Sequence, residues 1–97
     1  MGYKIYQLGY NDEGYKFMFL PYRKNRLAPR SLYEVVYTGE IESSGDIMKD
    51  LERLYTKFNI DHPAGFKGHS LSVSDLVELD GKCYYCDSIG FVELKNW

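Results

Sequence analysis

Apolar and polar residues alternate in two stretches of the first half of the chain. In "YKIYQLGY", Tyr3, Ile5 and Gln7 fall on one face and Lys4, Tyr6 and Leu8 on the other, a period of two that predicts a strand. "NDEG" follows as a turn, and "YKFMFL", ended by Pro21, predicts a second strand pairing back as a hairpin or lying at a sheet edge. "LYEVVYTGEI" gives the clearest alternation. Leu32, Glu34, Val36 and Thr38 take one face, Tyr33, Val35 and Tyr37 the other, and Gly39 breaks or bulges the run. The period then changes. In "SSGDIMKDLERLYTKFN", Ile47, Leu51, Leu54, Tyr55 and Phe58 recur at helical spacing, with Ser44 or Asp46 able to cap the start and Asp50 on the polar side.

"IDHPAGFKGHS" is rich in Gly and Pro and predicts a loop, with Phe66 as its anchor into the core. In "HSLSVSDLVEL", Ser72 precedes Asp75 by three residues, just before an apolar run. That spacing resembles a capping box and predicts a short helical turn near 72–77 leading into a strand. Asp80-Gly81 is a hairpin signal between "LVEL" and "KCYYCD". Asp87-Ser88 forms a turn or bulge, Gly90 suits an unusual backbone angle, and "FVEL" is a last short strand or an extended tail. These elements predict one α+β domain over residues 1–97: a small antiparallel sheet of about four to five strands on one main helix.

Composition adds three constraints. Ninety-seven residues with 44% hydrophobic and 27% charged content fit one globular domain with a single core. Charge is uneven: residues 1–38 carry six Lys/Arg against three Asp/Glu, a balance of +3, and residues 39–97 carry six against eleven, a balance of −5. That is neither the footprint of a uniformly basic nucleic-acid protein nor a dense acidic surface. Half-buried strands account for most of the ten tyrosines, and Tyr is also enriched at recognition surfaces. No apolar run approaches membrane-spanning length, so no membrane partner is expected.

Candidate chemistry is sparse. Cys83 and Cys86 form a lone C-x-x-C inside a strand pattern, where residues three apart face opposite ways. That works against a disulfide, a redox pair and a shared metal, so the cysteines read as structural and the compartment as cytoplasmic. His69 stands beside Ser70, Ser72 and Ser74, but no base-orienting acid, nucleophile elbow or oxyanion element accompanies it. No catalytic residue, cofactor or metal is expected. The basic run "PYRKNRLAPRS" supplies Arg23, Lys24, Arg26 and Arg30, with Tyr22, as candidate partner contacts. His69, Ser70, Asp87 and Ser88 form a second candidate, a polar loop site.

The order and spacing of "LYEVVYTGEI", Phe58-Asn59, Pro63, "GHSLSVSD" and "DSIGF" resemble the YodL-like domain over roughly residues 32–97, with a looser match at "YKIYQL". The resemblance implies a small, non-catalytic, cytoplasmic α+β module of mobile elements in Firmicutes. It implies protein interaction, with a host or a phage or plasmid protein as partner and inhibition of a host nuclease system as one such role. The alternative is an accessory nucleic-acid module using the basic loop 22–33, with Tyr22 and Tyr33 stacking on bases.

Overall fold

The structure, a computed structural model, describes residues 1–22, 29–61, 63–66 and 68–95. Five strands form one antiparallel sheet: β1 (Gly2–Leu8), β2 (Tyr33–Glu40), β3 (Leu76–Leu79), β4 (Lys82–Cys86) and β5 (Phe91–Leu94), in the order β2-β1-β3-β4-β5. A four-residue helix, α1 (Asp12–Tyr15), follows β1, a 3-10 turn (Arg30–Leu32) leads into β2, and the main helix is α2 (Ile47–Ile60).

Both faces of the sheet are covered, because β1 and β4 carry large side chains on both sides. Tyr3, Ile5, Val77, Leu79 and Tyr84 pack under Leu51, Leu54 and Phe58 of α2. Tyr6, Leu8, Leu76, Cys83, Tyr85 and Leu94 pack on the opposite face, under Tyr33, Phe17, Met18 and Tyr22. Phe66 stacks edge-on against Phe58 at 4.9 Å and so anchors its loop as expected.

The strand expected at "YKFMFL" does not form. β1 already has β2 on one side and β3 on the other, so no edge remains for a hairpin. The segment instead turns tightly. Met18 N–H donates to Gly14 O and Leu20 N–H to Phe17 O, and the chain crosses the second face as a strap. "NDEG" forms α1, with Asn11 Oδ1 accepting from Gly14 N–H at 2.8 Å.

In β2 the register slips opposite Ile5 and Tyr6, so Val36 is an extra residue without a partner across the pair. Tyr37 pairs with Ile5 on the helix face, whereas Tyr33 pairs with Leu8 on the other. Strict alternation had placed these tyrosines together. Gly39 does not bulge; it lies under the Tyr3 ring, where a Cβ would stand 2.7 Å from the hydroxyl.

Asp46 caps α2, its side chain accepting from Met48 and Lys49 N–H. Asp50, expected on the solvated side, is fully buried. The approach to the helix folds back over it, so Asp50 accepts from Ser44 N–H at 3.1 Å and from Arg53 at 2.7 Å. Tyr55, placed in the buried stripe by its spacing, is 43% exposed. Asp80 and Gly81 both take positive φ, as a type I′ hairpin requires. Near 72–77 the chain makes one turn, Asp75 N–H to Ser72 O at 3.0 Å, and then enters β3 without propagating a helix. No helix among the described residues is long and apolar enough to cross a membrane.

Candidate functional site

A polar latch pins the loop before β3 onto β1. Gln7 is buried in β1 and bonds the loop backbone at one residue: Oε1 accepts from His69 N–H at 3.1 Å, and Nε2 donates to the His69 carbonyl at 2.8 Å. The second Nε2 hydrogen goes to Asp75 Oδ2 at 3.0 Å. Gly68 permits this approach, since a Cβ there would collide with the Gln7 amide oxygen. Asp75 Oδ2 also accepts from Ser72 N–H at 2.7 Å. The aspartate therefore reaches back as a capping box would. The Ser72 hydroxyl does not reciprocate; it donates to Ser70 O at 2.9 Å.

Asp75 is 1% exposed, and burial drives its carboxyl well above the usual carboxylate range, against the opposing hydrogen bonds of Ser72 and Gln7. His69 Nδ1 lies 2.7 Å from Ser70 O, which only accepts, and 3.4 Å from Gln7 Nε2, whose two hydrogens go to the His69 carbonyl and Asp75; the tautomer with the hydrogen on Nδ1 is the one that satisfies the shorter contact. His69 Nε2 is buried without a hydrogen-bond partner among the described residues, 3.9 Å from Asp75 Oδ1.

Ser74 clamps the strap. Its N–H donates to Cys86 O at 3.0 Å, its carbonyl accepts from the Tyr33 hydroxyl at 2.8 Å, and its Oγ accepts from Phe19 N–H at 3.0 Å. Tyr33 is buried against Tyr85 and Asp75, and its hydroxyl is correspondingly hard to ionise. Two further bonds hold the strap: Tyr85 hydroxyl to Leu20 O at 2.6 Å, and Tyr22 N–H to Asp87 Oδ1 at 3.1 Å. Ser74 and Phe19 both have left-handed backbones, with φ of +88° and +66°. Such conformations are costly for residues other than Gly and persist only where their surroundings enforce them.

The enforced geometry turns Phe19 outward. It is 58% exposed, beside Tyr10 at 66% and Tyr15 at 55%. Ring contacts run from Tyr15 to Tyr10 (6.3 Å), from Tyr10 to His69 (5.8 Å) and from His69 to Phe19 (6.1 Å). Three large exposed aromatics thus sit on a rigid polar base. Sequence reasoning missed this patch because Tyr10 and Phe19 were each assigned to a strand. The signal that could have found it was the turn chemistry of "GYNDEGY".

The expected contacts are placed as follows. Arg23, Lys24 and Arg26 lie outside the described residues. Arg30 is exposed on the 3-10 turn, and its guanidinium hydrogen-bonds the Tyr6 hydroxyl. The Tyr22 ring packs edge-on against Tyr85 at 5.3 Å, on the second core. His69 and Ser70 belong to the latch. Asp87 and Ser88 belong to the β4–β5 turn, where Asp87 Oδ1 accepts from Ser88 N–H and Asp87 N–H donates to Gly90 O. Each pair has its own partners, and both motifs serve to fasten segments around the end of β4. That turn and α2 also border a shallow cavity of about 330 Å³, lined by Glu52, Tyr55, Thr56, Ser88 and Phe91.

Cys83 and Cys86 are free and buried on opposite faces of β4, and burial pushes both thiols up to about 12. Among the described residues no group of three or more His, Cys, Asp or Glu could hold a metal ion.

A five-stranded antiparallel sheet with a helix on one face and a fastened strap on the other defines a small α+β domain. The chain belongs to the YodL-like domain family, whose model matches residues 2–97, a wider span than the motifs at 32–97 alone. No curated protein and no solved structure matches it.

Proposed function

We propose that this chain is a non-catalytic protein-binding module that presents Phe19, Tyr10 and Tyr15 to a protein partner. The observation that carries this reading is the exposed Phe19, held in a left-handed conformation by the buried Ser74. Interfaces place large, pre-oriented aromatics at their energetic centres, and a rigid base spares the entropy of ordering them on binding. The family's association with mobile elements suggests a host protein as partner, with inhibition of a host nuclease system as the role and the cytoplasm as the setting. The two buried free thiols fit that compartment.

The basic run at 23–30 favours a second reading, an accessory nucleic-acid module. One comparison separates the two. Affinity capture is run with the wild-type chain, with Tyr10→Ala/Phe19→Ala, and with Arg23, Lys24, Arg26 and Arg30 changed to Glu. The expected result is one saturable protein partner whose affinity drops at least about tenfold in the aromatic variant. Recovery of nucleic acid, lost in the charge-reversed variant and retained in the aromatic one, would overturn the proposal.

A further inference from the structure

The His69 ring joins the buried latch to the exposed aromatic patch. In the tautomer that satisfies the 2.7 Å contact from Nδ1 to Ser70 O, Nε2 carries the ring's lone pair. Nε2 is buried, without a hydrogen-bond partner among the described residues, 3.9 Å from Asp75 Oδ1. With no proton between them, a nitrogen lone pair faces a carboxylate oxygen and nothing draws the two together. With one proton between them, on either atom, a hydrogen bond becomes available, and its ordinary length of roughly 2.8 Å is shorter than the gap.

We propose that Asp75 and His69 form a one-proton binding site that sets the geometry of the aromatic patch: a proton taken from water closes the gap, and the His69 ring carries Tyr10 and Phe19 with it. The backbone of His69 does not need to move, because Gln7 holds its N–H and its carbonyl independently of the side chain. Only the ring is free to respond, and Tyr10 and Phe19 both pack on that ring.

The surroundings leave the proton little else to interact with. β1 contributes the neutral Gln7 amide, β2 the Tyr33 hydroxyl, and β4 the Cys86 thiol, which burial keeps protonated. The loop itself contributes Ser70 and Ser72. His62 and Lys67 lie outside the described residues. Burial favours the protonated form of Asp75, which places proton uptake by the pair at a milder acidity than a solvated carboxyl would need. Control of partner binding by this site rests on the protein-binding reading above; the proton site itself does not.

Solution NMR of the full chain tests the site without a partner. The His69 Cε1–H and the ring protons of Tyr10 and Phe19 are followed from about pH 4 to about pH 8, across the ordinary carboxyl and imidazole ranges. In the wild type the three residues should shift together with one midpoint. In Asp75→Asn the amide oxygen must face Ser72 N–H and Gln7, which turns the amide N–H toward Nε2 at every pH. Tyr10 and Phe19 should then stay near their acid positions throughout. His69→Gln preserves the backbone latch and should make both aromatic rings indifferent to pH. The proposal is overturned if His69 titrates while the rings stay still, if the rings shift equally in Asp75→Asn or His69→Gln, or if His69 does not titrate in this range.

Discussion

Ser72 and Ser74 lie two residues apart and have different tasks. The Ser72 hydroxyl bonds only the nearby Ser70 carbonyl, and it is the Ser72 N–H that Asp75 uses. Ser72→Ala should therefore change stability by no more than about 0.5 kcal/mol. Ser74 is fully buried, and its Oγ is the acceptor for Phe19 N–H. Ser74→Ala removes that acceptor and should cost about 1 kcal/mol. It should also release Phe19 from its left-handed conformation. Thermal denaturation of the two variants, with the Phe19 ring signals as a second readout, checks the pair. Equal losses would restore the capping role that the S-x-x-D spacing suggests.

At the scale of elements, α2 depends on its first turn. Asp46 accepts from two orphan amides, and Asp50 one turn later fastens Ser44 and Arg53. Asp46→Ala should cost about 0.5–2 kcal/mol, read as a lower denaturation midpoint without a change in slope. The strap behaves differently because it has no ladder of its own. Its hold comes from Ser74, Tyr85 and Asp87, three residues from the distant end of the chain. "SLSVSD" and "DSIGF" therefore each contribute a bond to the strap, through Ser74 and Asp87. They fasten the segment that carries Phe19.

For the whole molecule, two buried carboxylates pull the pH profile in opposite directions. Burial leaves Asp75 protonated at pH values where the unfolded chain has lost that proton. Its contribution is thus full below the ordinary aspartate value of about 4 and is lost as pH rises toward the raised folded value. Burial also pushes Asp50 up, but the hydrogen bonds from Ser44 and Arg53 win and hold it below the ordinary value. Its contribution is present above about 4 and is lost as pH falls through the folded value. Thermal melts across pH should show Asp75→Asn removing a decline on the alkaline side of the ordinary value. Asp50→Asn should remove a decline on the acid side. A profile that keeps its shape in both variants would show that neither carboxylate governs it.

The sequence by itself determined what depends on neighbours along the chain. Alternation marked β1 and β2, the helical stripe marked Leu51, Leu54 and Phe58, Asp80-Gly81 marked the hairpin, and the spacing within "CYYC" set the cysteines on opposite faces. Family membership was legible too, because the motifs follow in a fixed order. The tertiary structure decided what depends on competition for partners. "YKFMFL" has a strand's composition, yet both edges of β1 were taken, so it became a strap. Tyr33 and Tyr37 share a parity that the bulge at Val36 cancels. Asp50 reads as solvated until Ser44 folds over it. In the candidate site, His69 and the Ser72–Asp75 spacing were legible, but their distant partners belong to this second kind. Gln7, Phe19, His69 and Ser74 are as many as 67 positions apart, and only packing both faces of one sheet brings them together, because a buried polar group must find its partner wherever the fold places one.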